Sequence, residues 1–210
     1  MKKKIFSIFT VVLLLFSFAG CGKKANPTEL TGTWVNAVDI TDYLVYQMGD
    51  SVFTGYIQLD RVDMYLQYSF LADGTFSVKV DTERTQKSWD KFLDAIENGM
   101  ALAYETSNPG KSAKDFFEAY KKDTGSTVRE TLAEKNQMSK LLEPFVNNGY
   151  YQVKGNRLYR SDKPLEITDS TPYEMFSISK ATLTIHSSSD KSLSAEEKAQ
   201  YPFVFEWVSK

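Results

Sequence analysis

The sequence predicts a mainly β domain with an α insertion, an antiparallel up-and-down barrel whose strands are interrupted by about 60 helical residues. Three observations lead there. Asp73-Gly74 lies between two runs of period-2 hydrophobicity, which marks a tight hairpin. Gly155-Asn156 separates a second such pair, Tyr150 to Val153 and Arg157 to Arg160. Between the two hairpins the apolar spacing changes from every second residue to every third or fourth, the helical period.

The elements follow in order. Leu30 to Asp39, containing Gly32-Thr33-Trp34, reads as a first strand. Ile40 to Met48 suits one or two helical turns, with Asp39 or Thr41 as the cap. Met64, Leu66, Tyr68 and Phe70 share one strand face, and Phe76, Val78 and Val80 share a face of the returning strand. From Thr85 the stripe Trp89, Phe92, Leu93, Ile96, Met100 and Ala103 predicts a long helix, ended by Asn108-Pro109-Gly110. Phe116, Phe117 and Tyr120 suggest a second helix. Thr127 and Glu130, at capping-box spacing, open a third whose stripe runs through Val128, Leu132, Leu142 and Phe145, with Pro144 fraying it. Strand character resumes at Gly149. It continues through Phe176 and Ile178, then Ala181, Leu183 and Ile185, and closes with Phe203, Phe205 and Trp207. At least seven strands thus flank a helical insert over residues 85–146, in one domain over residues 30–210 that is long enough for a full core.

The amino end has a different build. Lys2, Lys3 and Lys4 precede an apolar run from Ile5 to Phe18, then small residues and Cys21, the only cysteine. The run is shorter than the ~20 residues a membrane span needs, and the three-part order is that of a secretory signal over residues 1–20. Phe18-Ala19-Gly20-Cys21 resembles the lipobox of bacterial lipoproteins, with Phe18 where that family most often has Leu. The resemblance implies cleavage before Cys21, a diacylglyceryl group on its sulfur, and a membrane partner reached through that lipid. It also implies a place at the cell membrane, on the extracytoplasmic face of a Gram-positive-type envelope. Two acyl chains anchor stably where one does not. Residues 21–29 form the lipidated start and a tether; its eight residues after Cys21 reach about 30 Å when stretched at ~3.5 Å each.

Loss of the leader removes three lysines and no acid, taking the formal charge from −2 to −5. An acidic surface argues against nucleic acid as a partner. With its one cysteine committed to lipid, the chain has no intrachain disulfide, and stability must come from packing.

The strand motifs resemble the lipocalin-like lipoproteins of Gram-positive bacteria, relatives of the calycin barrels. Leu30-Thr31-Gly32-Thr33-Trp34, Phe70 to Phe76, Gly149 to Val153, Leu183-Thr184-Ile185 and Tyr201 to Phe205 carry the likeness. It implies a ligand-holding or interaction module, with Trp34 a structural residue closing one end of the barrel. Glu206 and Trp207 depart from the pattern, since a lipocalin places a basic residue over the tryptophan there. The helical insert is a second departure.

Residue chemistry narrows the rest. His186, the single histidine, lies in opposite phase to Leu183 and Ile185 and is expected to face outward, although Ser187 and Asp190 are near in sequence. One histidine and one lipidated cysteine cannot form a zinc cage. Asp60, Asp63, Asp81 and Glu83 lack the oxygen spacing of a calcium loop. Gly110-Lys111-Ser112 lacks the earlier glycine of a phosphate-binding loop. No cofactor motif, metal set or catalytic constellation is identifiable, so an enzyme is not the expectation. The aromatic residues, 14% of the chain, read in two ways. Tyr65, Tyr68, Tyr150, Tyr151 and Tyr159 line a cavity for an apolar or envelope ligand, or they simply build the barrel wall, where aromatics are common. The insert is then a lid over a cavity or a plug within it. The corresponding functions are a small-ligand binding module and an interaction or scaffolding lipoprotein with a filled barrel.

Overall fold

The structure, a computed structural model, describes residues 27–49 and 54–209. The leader over residues 1–20, Cys21 and the tether as far as residue 26 lie outside the described residues. Among those described, no helix is long and apolar enough to cross a membrane.

Eight antiparallel strands close into a barrel in chain order. They are β1 (Gly32–Asp39), β2 (Asp63–Phe70), β3 (Thr75–Val80), β4 (Asn147–Lys154), β5 (Arg157–Ser161), β6 (Glu174–Ser179), β7 (Thr182–Ser188) and β8 (Phe203–Ser209). The helices are α1 (Pro27–Leu30), α2 (Thr41–Met48), α3 (Thr82–Ser107), α4 (Ala113–Thr124), α5 (Val128–Lys135), α6 (Met138–Leu141) and α7 (Ala195–Ala199). The three tight hairpins and α1 gather at one end of the barrel. All longer connections, including the whole helical insert, leave from the other end, the mouth.

At the closed end the backbone geometry is set by glycine and tryptophan. The Trp34 indole is buried, and its Nε1 donates to the Leu30 carbonyl at 2.8 Å, tying α1 beneath the barrel. Trp207 meets it edge-on, with centroids 4.8 Å apart at 78°. An aromatic neighbour thus covers Trp34 where the lipocalin pattern has a basic side chain. Gly32 has φ +137°, and a Cβ there would collide with the Trp207 ring. A side chain at residue 32 therefore meets both backbone strain and steric overlap.

The insert is longer than its apolar stripe alone suggests. Asp81 caps α3, its Oδ1 accepting from the Arg84 N–H at 3.0 Å, so the helix starts at Thr82 instead of Thr85. Thr85 is wholly buried and its hydroxyl accepts from the Tyr65 N–H at 3.1 Å, docking the helix on β2. Trp89, Phe92, Leu93 and Ile96 join the same core as the barrel's inner face. Further along α3, Gly99 lets Ile57 approach; a Cβ would lie 2.6 Å from the Ile57 Cγ1. The stripe through Leu142 and Phe145 does not continue one helix. α5 stops at Asn136, whose side chain bonds back to the Leu132 carbonyl, and α6 and a 3-10 turn at Glu143–Phe145 carry the chain into β4. Asn136 competes for the backbone and Pro144 removes a donor, which together break the run.

Three capping boxes fix helix starts, at Ser112 and Asp115, Thr127 and Glu130, and Ser194 and Glu197. In each, the N–H and then the hydroxyl of the cap residue hold the carboxylate below its usual range. A folded-state pKa below the unfolded value stabilises fully above about pH 4 and is lost as pH falls through the folded pKa. We therefore expect helical circular dichroism in an acid titration to fall below about pH 4, with Asp115→Asn and Glu130→Gln flattening that step. An unchanged titration in the double variant would show the boxes to be without consequence for stability.

Candidate functional site

The lumen is occupied by the protein's own side chains. Along the strands alternate residues point inward, and bulky buried ones among them fill the interior: Phe70, Phe76, Tyr151, Phe176, Leu183 and Phe205. Their contacts span the interior. Tyr68 of β2 meets Phe205 of β8 edge-on at 4.9 Å, and Phe70 meets Tyr151 of β4 at 5.0 Å. The Tyr151 hydroxyl donates to the Leu71 carbonyl at 2.8 Å, so its polar end is satisfied without any ligand.

Nearer the mouth the filling becomes charged. Arg160 follows Leu158 on the inward face of β5, and its guanidinium lies 5.9 Å from the Tyr68 centroid and 5.8 Å from that of Phe76. It binds Glu174 of β6 through two bonds, Nε to Oε2 at 2.8 Å and Nη2 to Oε1 at 2.7 Å. Tyr201 adds a third donor to Glu174 Oε1 at 3.3 Å. The cause is local. β5 and β6 pair over only two positions, Arg157 with Met175 and Leu158 with Glu174, and beyond them the bidentate pair closes the gap that the ladder leaves. Burial is the largest single influence and works against the Arg160 charge, but Glu174, Tyr68 and Tyr201 together outweigh it and the guanidinium is held more firmly protonated than usual. Burial, reinforced by the Glu174 charge, pushes the Tyr201 phenol up. Burial likewise raises Tyr68, with Arg160 opposing it. A cleft of about 260 Å³ opens beside this group, with Tyr173, Ser188 and Asp190 on its walls.

A second opening lies at the barrel seam. β1 pairs with β8 only at Thr33, Trp34 and Val35, with a register shift after Thr33. Beyond Val35 the strands part, and Asn36 Nδ2 reaches across to the Val204 carbonyl at 2.6 Å. Two adjoining pockets occupy the split, and both are bordered by Asn36, Ala37 and Pro202. The outer one, about 510 Å³, lies against Tyr65, Arg84 and Glu206. The mouth-side one, about 490 Å³, is bounded by Val38, Ile40, Tyr43, Phe145 and Phe203.

The five tyrosines considered from sequence do not share one cavity. Tyr68 and Tyr151 enter the lumen, where both are packed into the core. Strand alternation puts Tyr65, Tyr150 and Tyr159 on the outer wall. Tyr150 is exposed there, Tyr65 borders the outer seam pocket, and Tyr159 is buried against Tyr173 of the loop that crosses β5. His186 is exposed and bonds the Ser177 hydroxyl at 2.8 Å across the outer face of β6 and β7. Asp190 is held by Ser192, whose hydroxyl and N–H keep its carboxylate below the usual range. Asp63 pairs with Arg61 at 2.8 Å and Asp81 caps α3. Among the described residues no three His, Cys, Asp or Glu side chains come together in a metal-holding group. Sequence reasoning missed Arg160, Glu174 and Asn36. The inward phase of Arg160 with Leu158, and of Asn36 with Trp34, is the signal that reveals the first and third.

No family model, curated protein or solved structure matches the chain.

Proposed function

We propose that the chain is a membrane-anchored extracytoplasmic binding module of lipocalin-like architecture, held by a diacylglyceryl group on Cys21, whose lumen is packed and whose recognition falls on the mouth and seam. The packed lumen is the observation that carries this reading. A carrier that encloses its cargo needs an interior space, and here Phe70, Tyr151, Phe205 and the Arg160–Glu174 pair take that space. The lipobox-like Phe18-Ala19-Gly20-Cys21 supports the anchor. The anchoring tether joins the barrel at α1, at its closed end, which leaves the mouth and helices accessible.

A second reading, retention of a small apolar ligand, is favoured by the two seam pockets, each within the ~300–1,000 Å³ of ordinary ligand sites. Cys21→Ser is the test of the anchor. We expect the variant to lose incorporation of a fatty-acid probe and to leave the membrane fraction, whereas labelling at wild-type level would overturn it. In native mass spectrometry of the wild-type chain, a copurified ligand would support the second reading, and a bare protein mass plus diacylglyceryl the packed, interaction-only form.

A further inference from the structure

We propose that the split between β1 and β8 is a lateral site for a single-chain amphiphile with an uncharged, hydrogen-bonding head. This deepens the second reading, retention of a small ligand in the seam pockets, and rests on it. The two pockets share Asn36, Ala37 and Pro202 as walls and differ in chemistry. The mouth-side pocket is mainly apolar, walled by Ile40, Tyr43, Phe145 and Phe203, side chains that belong to or pack against the core, with Gln200 and Asp39 at its edge, the latter already held by Thr41. It suits an alkyl chain, which gains roughly 25 cal/mol per Å² of apolar surface removed from water. The outer pocket presents one cation and one anion, Arg84 and Glu206. Arg84 is already drawn to Asp81 at 3.5 Å. A wall that carries one charge of each sign favours neither an anionic nor a cationic head, so a neutral polar head fits best.

Asn36 sits where the two pockets meet. The residue is 9% exposed, and its Nδ2 is committed to the Val204 carbonyl. Among the described residues its Oδ1 accepts no hydrogen bond, although the side chain borders both pockets. Among the described residues no fully buried side-chain polar atom lacks a partner, so this oxygen faces solvent, and a hydroxyl or amide N–H on the ligand would take the place of water on it at the junction of tail and head. The pairing pattern makes the split possible. Were β1 and β8 laddered along their full length, the sheet would leave no gap at residues 36–39.

The probes are 1-monododecanoylglycerol, which has donors beside its ester, and methyl dodecanoate, which has none. Occupancy is read by native mass spectrometry of the full chain released from nanodiscs. We expect the glycerol ester to bind about tenfold more tightly, the equivalent of one hydrogen bond. Ala37→Trp and Val204→Trp, both at exposed strand positions, should each lower its binding at least tenfold with circular dichroism unchanged. Equal binding of the two esters, no binding of either, or binding indifferent to both tryptophans would overturn the seam site. The same spectra report the diacylglyceryl mass on the chain, so a missing anchor is recognised separately from a missing ligand.

Discussion

Trp34→Ala is expected to cost about 3–5 kcal/mol, the range for truncating a buried aromatic. In a domain of this size that lowers Tm by roughly 6–20 °C. Three losses add up. The cavity left by the indole cannot collapse, because β1 is paired on both sides here, with Tyr68 and with Trp207. The Leu30 carbonyl loses its donor, which frees α1 from the closed end. Trp207 loses its edge-on partner. Trp34→Phe divides these effects, since it keeps a six-membered ring against Trp207 but loses the indole N–H and about a third of the ring atoms; a loss of about 2 kcal/mol is expected. Calorimetry of both variants decides the matter, and a phenylalanine variant as damaged as the alanine one would show that a ring packed on Trp207 does not by itself secure this end.

Glu174→Gln is expected to destabilise by roughly 3 kcal/mol, the lower end for breaking a buried pair, because 29% of the Arg160 side chain still reaches solvent. With the carboxylate charge gone Arg160 remains inside the aromatic cage, and a single amide oxygen is left for the three donors that Arg160 and Tyr201 supply. Arg160→Met with Glu174→Leu, which removes both charges, should restore most of that loss. A coupling energy of 1–3 kcal/mol in the cycle formed by Arg160→Met, Glu174→Leu and their combination is the expected signature. Additive effects would mean that the two groups stabilise the barrel independently, despite bonds of 2.7 and 2.8 Å.

Much of the barrel could be read from the chain because period-2 spacing and glycine turns are local signals. The β2–β3 and β4–β5 hairpins lie where Asp73-Gly74 and Gly155-Asn156 place them. The Thr127–Glu130 box begins a helix as its spacing implies. Other features needed three dimensions. The four-residue α1 has no periodicity to detect, and its identity depends on the Trp34 indole above it. The partner of Arg160 lies fourteen residues away, beyond a loop with no regular pattern, so only the closed barrel brings Glu174 to it. The seam pockets were illegible for the same reason, since they exist where pairing between the first and last strands stops.

The pairing of Thr33 with Ser209 has a practical consequence for engineering. Backbone enters and departs the sheet side by side, at the pole remote from the helical insert. A short linker there, with new ends opened at the exposed Asn108–Lys111 turn, should yield a circular permutant that keeps all eight strands in register.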